Sequence, residues 1–216
     1  MHYLLGGDAV QLNIDDALRY LGVRSDPNGS LRAQMDALSG EVMAQHPPRS
    51  LWRLMDVSAL ALPGRTAEKI LAECRQAAVM VCTLGAAFDA WVRAEQSRDM
   101  RRAVMLDALG SAWVEAGCDA VENAIRARFP GMYLTDRFSP GYGDLPLEVQ
   151  PLLLDITGAR RIGVTVLDSL LMHPQKSVSA VIGLADKPQK ARIRGCAYCA
   201  MNKTCSLRKA GTPCGI

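Results

Sequence analysis

The sequence predicts an α+β domain in which a twisted, mainly antiparallel sheet is flanked by long helices. Helical spacing dominates the chain, and a few short apolar runs interrupt it without the regular strand–helix alternation of a doubly wound sheet. With 216 residues, 49% of them hydrophobic, the chain is long enough to bury a substantial core. This composition excludes a disordered chain, a collagen-like repeat and a disulfide miniprotein as descriptions of the whole.

The first half of the chain predicts four helices and one strand. Asn13 is a suitable N-cap for the first helix, and Pro47 stops the second. Residues 77–82 are continuously apolar and are followed by Gly85, which indicates a buried strand with Cys82 as a core thiol. The predicted helices cover residues 13–21, 31–45, 66–74 and 86–95, while residues 51–62 are open between a strand and a loop.

The second half predicts one long helix, a loop, a shorter helix and two strands. Residues 99–128 carry an apolar stripe at helical spacing, formed by Met105, Leu109, Trp113, Ala116, Ala120 and Ala124. Two prolines and two glycines within residues 133–146 indicate an ordered loop. A helix over residues 147–157 is expected to end at Gly158, and strands follow over residues 162–167 and 178–184.

Charge and cysteines divide the chain into an acidic body and a basic tail. Seven basic and no acidic residues follow Asp186, which leaves 18 basic against 22 acidic residues in residues 1–186. Four of the seven cysteines also lie in this tail. We expect an N-terminal helical segment (1–75), part of or docked on the main domain, a ligand-binding core (76–186) and a small metal-binding tail (187–216).

The spacing of the tail cysteines predicts a metal site. Cys196, Cys199, Cys205 and Cys214 form a C-x2-C-x5-C-x8-C pattern. Four thiolates complete a tetrahedral zinc site or hold an iron–sulfur cluster, and nearby Lys and Arg residues lower thiol pKa values. The alternative is a flexible tail with free or oxidised thiols. The choice between zinc and iron–sulfur stays open from spacing alone, although the C-x3-C-x2-C pattern of radical S-adenosylmethionine enzymes is absent.

The loop that begins at Arg137 is the most unusual local sequence. Arg137 can pair with a carboxylate through two parallel hydrogen bonds, Pro140 fixes the backbone, and Gly141 allows close approach of another group. Tyr142 supplies an apolar face with a polar end. This pattern fits a loop that holds a ligand with a carboxylate and a flat ring. The alternative is a rigid surface loop whose arginine forms a salt bridge.

From about residue 106 to residue 184 the chain resembles the activation domain of vitamin B12-dependent methionine synthases. In that family a long helix leads into an Arg-Pro-Ala-Pro-Gly-Tyr-Pro loop, a helix, and a strand before a Ser-Val-Ser segment. The matching features here are residues 99–128, Arg137 to Gly143, and Ser177-Val178-Ser179 after Pro174-Gln175-Lys176. The runs Thr83-Leu84-Gly85 and Leu106-Asp107-Ala108-Leu109-Gly110-Ser111 resemble free-standing versions of the domain.

The resemblance implies that the chain binds S-adenosylmethionine and supports reductive methylation of an inactive Co(II) corrinoid (cobalamin). Such a protein is an accessory component of the methionine synthase system in methionine biosynthesis, and no side chain needs to act as acid or base. The implied site comprises Arg137 for the ligand's carboxylate, backbone at Ser139, Pro140, Gly141 and Tyr142, and the serines Ser177 and Ser179. An iron–sulfur cluster in the tail would also offer a route for the electron.

The expected partners follow from what the chain lacks. The Asp-x-His-x-x-Gly signature of corrinoid-binding modules is absent, so the corrinoid is expected on a separate methionine synthase or corrinoid methyltransferase, with a reductase or other electron donor. No signal peptide or membrane span is visible, which favours the cytoplasm and no membrane partner. The alternative function is a nonenzymatic, zinc-clipped binding module or scaffold that contacts nucleic acid, although Tyr198 is the one aromatic residue among the tail's charges.

Overall fold

An antiparallel sheet lies at the centre of the fold. The computed structural model describes residues 2–5, 11–23, 26, 28–189, 203–205, 209 and 211. The strands are β1 (His2–Leu5), β2 (Arg49–Asp56), β3 (Gln76–Thr83), β4 (Tyr133–Leu134), β5 (Thr165–Val166), β6 (Met172–His173) and β7 (Ser177–Ala185). Within the described residues the sheet order is β1-β2-β3-β7-β4, all neighbours are antiparallel, and β5 and β6 form a separate two-stranded pair. The predicted α+β class is therefore confirmed.

Helices cover both faces of the sheet. They are α1 (Ile14–Tyr20), α2 (Ser30–Gln45), α3 (Val57–Leu60), α4 (Arg65–Leu71), α5 (Ala86–Gln96), α6 (Met100–Arg128) and α7 (Gln150–Thr157), with 3₁₀ turns at Leu147–Val149 and Ala159–Ile162. Asn13 caps α1 by accepting a hydrogen bond from Asp15 N, and Asp99 caps α6. In the described part of the chain, no helix combines the length and apolarity needed to cross a membrane.

The two buried strands β3 and β7 separate two layers of core. One face of β3, with Met80 and Cys82, lies in a core layer with α6, α5, α1 and α2. Leu109 and Trp113 of the predicted α6 stripe are buried there, but Ala120 and Ala124 are not part of the layer, and Cys118, Val121 and Ile125 take their place. The other face, with Val79, packs against α4 and α7. Val79 pairs with Val181 of β7, so successive side chains of the two strands point in register into one core layer and then the other. The expected buried strand over residues 77–82 is thus confirmed, with Cys82 fully buried.

Two stretches differ from the sequence expectation. The predicted strand over residues 162–167 is wrong at its start, because Ile162 ends a 3₁₀ turn, Gly163 has a left-handed φ of 79°, and only Thr165–Val166 is extended. Of the alternating apolar residues, Ile162 and Val164 are buried and Val166 is partly buried, and the segment packs against α7 and β2 without pairing with the main sheet. The ambiguous stretch 51–62 divides between the end of β2 and the short α3.

The N-terminal residues contribute directly to the sheet. β2 pairs with β3 along its whole length, from Arg49 opposite Thr83 to Asp56 opposite Gln76. β1 pairs with the outer side of β2, and α1 packs against α6. The sequence did not predict β1.

Candidate functional site

The loop that carries the candidate site is fixed to the edge of β7 before it leaves the sheet. Thr135 N donates to Gly183 O over 3.0 Å, and Gly183 N donates back to Thr135 Oγ1 over 2.8 Å. Phe138 and Val181 exchange both backbone hydrogen bonds, at 3.1 and 2.8 Å. Gly183 has no room for a side chain here, since a Cβ would lie 2.6 Å from Cys74 Sγ. The loop therefore begins from a rigid point on the sheet.

Arg137 points from this edge towards α6. Its Nη2 lies 2.6 Å from Glu115 Oε2, and its Nη1 lies 3.0 Å from Asp119 Oδ1 and 2.5 Å from Glu122 Oε1. The three carboxylates meet the guanidinium because they are spaced by four and three residues on one face of the helix. The side chains of Arg137 and Glu122 are only 8% and 11% exposed. In the structure Arg137 therefore forms salt bridges within the protein, which was the alternative prediction for this loop.

The environment of Arg137 stabilises its charged form. Burial by itself would lower the pKa of the guanidinium, but the neighbouring acidic groups outweigh it and raise the pKa above its ordinary value. An incoming ligand carboxylate would therefore meet a guanidinium that is charged and already hydrogen-bonded. Two of its three partners face solvent, since Glu115 is 41% and Asp119 is 62% exposed.

The tip of the loop is a tight turn that exposes one aromatic ring. Tyr142 N donates to Ser139 O over 3.0 Å, and Gly141 N donates to Leu145 O over 2.7 Å. Gly141 has a φ of 85°, which favours glycine. Leu145 is buried beneath the turn, whereas Tyr142 is 53% exposed. The turn holds the Tyr142 ring at the surface on a defined backbone.

Asp144 anchors the far side of the loop to α4. Its carboxylate accepts hydrogen bonds from Arg65 N over 2.8 Å and from Thr66 N over 2.9 Å. Gly64 precedes this helix and has no side chain to cap it, so Asp144 supplies the cap from a distant part of the chain. Hydrogen bonding, first of all with Thr66, lowers the pKa of Asp144. Sequence reasoning missed this residue.

The two serines lie on the face of β7 opposite to Arg137. Ser179 is buried and accepts a hydrogen bond from Gln150 Nε2 over 2.6 Å. Ser177 Oγ lies at the beginning of the strand, 2.8 Å from Thr83 Oγ1 and 2.6 Å from Pro174 O. Both hydroxyls thus have protein partners. The serines therefore lie on the side of the sheet where Phe138 and Leu145 of the loop are buried, whereas the Arg137 side chain lies on the α6 side.

Three of the segments that carry the family resemblance come together at the beginning of β7. Lys176 Nζ lies 2.8 Å from Asp107 Oδ1 and 2.9 Å from Ser111 Oγ, while Lys176 O accepts from Leu84 N over 3.0 Å. Gln175 N donates to the buried carboxylate of Asp89 over 2.7 Å. Segments 83–85, 106–111 and 174–177, which are far apart in sequence, therefore form one polar junction.

The cysteines of the body do not resemble metal ligands. Cys74, Cys82 and Cys118 are buried. Burial raises the pKa of the Cys74 thiol to about 11, and a hydrogen bond with Cys82, followed by burial, raises that of Cys118. Such thiols stay protonated at neutral pH and are poor ligands.

Most of the predicted metal site lies outside the described residues. This applies to Cys196, Cys199 and Cys214, whereas Cys205 is described and is half-buried. The described residues contain no cluster of three or more His, Cys, Asp or Glu side chains that could hold a metal ion.

Comparison with known proteins gives a likeness of fold. No protein-family model matches the chain, and no curated protein matches it. Among solved structures, the crystal structure of the MetH reactivation domain bound to AdoHcy matches with a TM-score of 0.55 and 16% sequence identity. The match covers 90% of this chain and 76% of that one. The chain therefore has a fold similar to that of the MetH reactivation domain.

Proposed function

We propose that this protein binds S-adenosylmethionine and supports reductive methylation of an inactive Co(II) corrinoid carried by a separate methionine synthase or corrinoid methyltransferase. The likeness to a reactivation domain crystallised with AdoHcy, over 90% of the chain, is the observation that carries the proposal. The junction of segments 83–85, 106–111 and 174–177 supports it, because these segments carry the sequence resemblance to the same kind of domain.

The proposed ligand site is the solvent-facing side of the loop, from Arg137 to Tyr142. We infer that the ligand's carboxylate binds the Arg137 guanidinium by replacing Asp119 or Glu115, because these partners face solvent and Glu122 does not. Ser139, Pro140 and Gly141 would line the site through their backbone, with the exposed ring of Tyr142 available for the ligand's flat adenine.

Ser177 and Ser179 are proposed to act indirectly. Their hydroxyls already have partners in Thr83, Pro174 and Gln150, so they fix β7, on which the loop rests. They are positioning residues in this proposal, while the loop makes the contacts with the ligand.

The protein's contribution to the reaction is binding and orientation. One electron from a reductase or other donor converts the substrate Co(II) corrinoid to Co(I). The Co(I) centre then takes the methyl group as the carbon–sulfur bond of S-adenosylmethionine breaks, and the bonding electron pair stays on sulfur. No proton moves in this step, which agrees with a site that presents a charged ligand without a catalytic acid or base.

The tail is proposed as a separate metal site. We propose that Cys196, Cys199, Cys205 and Cys214 bind either zinc, as a structural clip, or an iron–sulfur cluster, as a route for the electron. Anaerobic purification followed by metal analysis and an absorption spectrum distinguishes the two. Stoichiometric zinc without a visible absorption band would exclude the electron-transfer role.

Two assays test the function. Calorimetric titration of the full chain with S-adenosylmethionine should show binding that weakens in Arg137→Lys, which keeps the charge but loses the planar fork. Transfer of a labelled methyl group from S-adenosylmethionine to a Co(II) corrinoid protein, with a chemical reductant, should depend on this chain. A folded protein that shows no binding would contradict the proposal, and salt-sensitive binding to nucleic acid instead would favour the binding-module alternative.

A further inference from the structure

A pocket lies at the end of the sheet from which the chain passes into its basic tail. It has a volume of about 290 Å³ and is bounded by the end of β2, the beginning of β3 and the end of β7. Leu184 and Ala185 of β7, which are almost fully buried, form its floor together with Met132. The proposed ligand loop, which is attached to β7 at Val181, does not line this pocket.

The rim of the pocket carries more negative than positive charge. Asp56, Glu73 and Asp186 are exposed and contribute three carboxylates, and Arg75 contributes one guanidinium. Among the residues that the structure describes, none of these four side chains forms a hydrogen bond or a salt bridge. The rim therefore has a formal surplus of two negative charges.

The tail that starts at this rim has the opposite charge. Asp186 lines the pocket, and the residues after it include seven cations and no acidic side chain. Lys190, Arg192 and Arg194 alternate with apolar residues, so in an extended segment the three cations lie on one side. Only three residues separate Asp186 from Lys190, and so short a connection gives the cations a high effective concentration at the pocket.

The size and lining of the pocket fit long basic side chains. Sites for small molecules usually span about 300–1,000 Å³, so this pocket is at the lower limit of that range. Lys and Arg side chains have an apolar stem and a charged end, which match an apolar floor beneath a rim of carboxylates. Such a side chain can bury its stem against Leu184 and place its charge beside Asp56 or Glu73.

We propose that the segment of residues 190–194 docks in this pocket through Lys190, Arg192 and Arg194. The opposite charges, the short connection and the size of the pocket all favour this occupant. The inference goes beyond the proposed function, because it does not depend on binding of S-adenosylmethionine. The C-x2-C pair of the tail begins two residues after the segment, so docking fixes the first half of the proposed metal site at this end of the sheet.

Carbodiimide cross-linking of the full chain tests the contact. The reagent joins a carboxylate to an amine that touches it, and mass spectrometry of tryptic peptides identifies the pair. Lys190 should be linked to Asp56 or Glu73, whereas the exposed Glu68 of α4, which does not line the pocket, should not be linked to it. An equal mixture of nitrogen-15-labelled and unlabelled protein shows whether the linked residues belong to one chain.

Limited trypsin digestion of the folded protein measures the docking without a cross-link. Cleavage within residues 190–194 should be about three- to tenfold faster when Asp56→Asn and Glu73→Gln are combined, because two surface ion pairs are lost. Glu68→Gln, a charge-matched control on α4, should leave the rate unchanged. In about 0.5 M salt the wild type should approach the rate of the double variant, since salt screens surface charges.

The outcomes decide between the possible occupants. Links within one chain, together with faster cleavage in the double variant, support the inference. Links found only between labelled and unlabelled chains would assign the pocket to the tail of a second copy and contradict docking on the same chain. No link from Lys190 to the rim, with equal cleavage rates in the wild type and the double variant, would overturn the inference.

Discussion

Replacing Arg137 with alanine should destabilise the protein markedly, independently of any ligand. The substitution removes the guanidinium that lies 2.5 Å from Glu122 Oε1, whereas Arg126 lies farther from this 11%-exposed carboxylate, at 3.7 Å. Glu115 and Asp119 can turn towards water when the guanidinium is absent. The cost therefore comes mainly from Glu122 and from the lost packing of the arginine stem.

The magnitude follows from the burial of the partners. Breaking a fully buried pair by removing one member costs about 3–5 kcal/mol. Because only one of three carboxylates is deeply buried here, we expect about 2–4 kcal/mol. In a domain of this size, that loss lowers the melting temperature by roughly 5–15 °C.

Urea unfolding of four proteins measures the effect. They are the wild type, Arg137→Ala, Glu122→Gln and the double variant. Neutralising Glu122 should recover part of the loss caused by Arg137→Ala, because its largely buried side chain then carries no charge. The cycle isolates the coupling between the two side chains. A loss below about 0.5 kcal/mol in Arg137→Ala, or a coupling near zero, would refute the buried ion cluster. The expected loss also makes Arg137→Lys the better variant for ligand binding.

Three further predictions concern packing, acid and thiol chemistry. Gly110→Ala should lower the free energy of unfolding in urea by about 1–3 kcal/mol, because its Cβ would lie 2.4 Å from Phe88. Gly40→Ala, whose Cβ would meet nothing within 4 Å, should instead stabilise α2 by up to about 1 kcal/mol. Equal effects of the two substitutions would contradict the packing at Gly110. The pKa of Asp144 is lowered in the folded protein, so its stabilising contribution is present above the pKa of the unfolded chain and is lost as pH falls through the pKa of the folded state. Asp144→Asn should therefore flatten the acid side of a plot of unfolding free energy against pH. An unchanged plot would contradict the capping role of Asp144. Because burial raises the pKa of Cys74 to about 11, alkylation at pH 8 should leave this thiol unmodified until denaturant is added. Mass spectrometry of labelled peptides measures the modification, and labelling of Cys74 in the folded protein would contradict the prediction.

Local signals predicted most of the secondary structure. Asn13 was predicted as a helix cap and accepts a backbone hydrogen bond at the N-terminus of α1. Asp99, where the long helix was predicted to begin, is the N-cap of α6. The apolar run of β3 and the alternating β7 also kept their predicted positions. These features depend on residues within a few positions of one another. A single sequence contains that information.

The parts that sequence reasoning missed depend on distant partners. Arg137 could be identified as a charged loop residue, but its three carboxylates lie 15 to 22 residues earlier on α6. Asp144 caps a helix whose first residues lie 78 and 79 positions away. The alternation in residues 162–167 correctly predicted burial but incorrectly predicted a full strand, because this segment packs onto β2 and α7 without pairing with a strand of the main sheet.

Calorimetric titration of the full chain with S-adenosylmethionine tests the central claim most directly, with Tyr142→Ala as the matched variant. Because Tyr142 is 53% exposed, its ring can be removed without loss of core packing. The account predicts binding to the wild type with a stoichiometry near one, and clearly weaker binding to Tyr142→Ala at unchanged stability. Absence of binding to the folded wild type, or equal binding to both proteins, would contradict the loop as the ligand site.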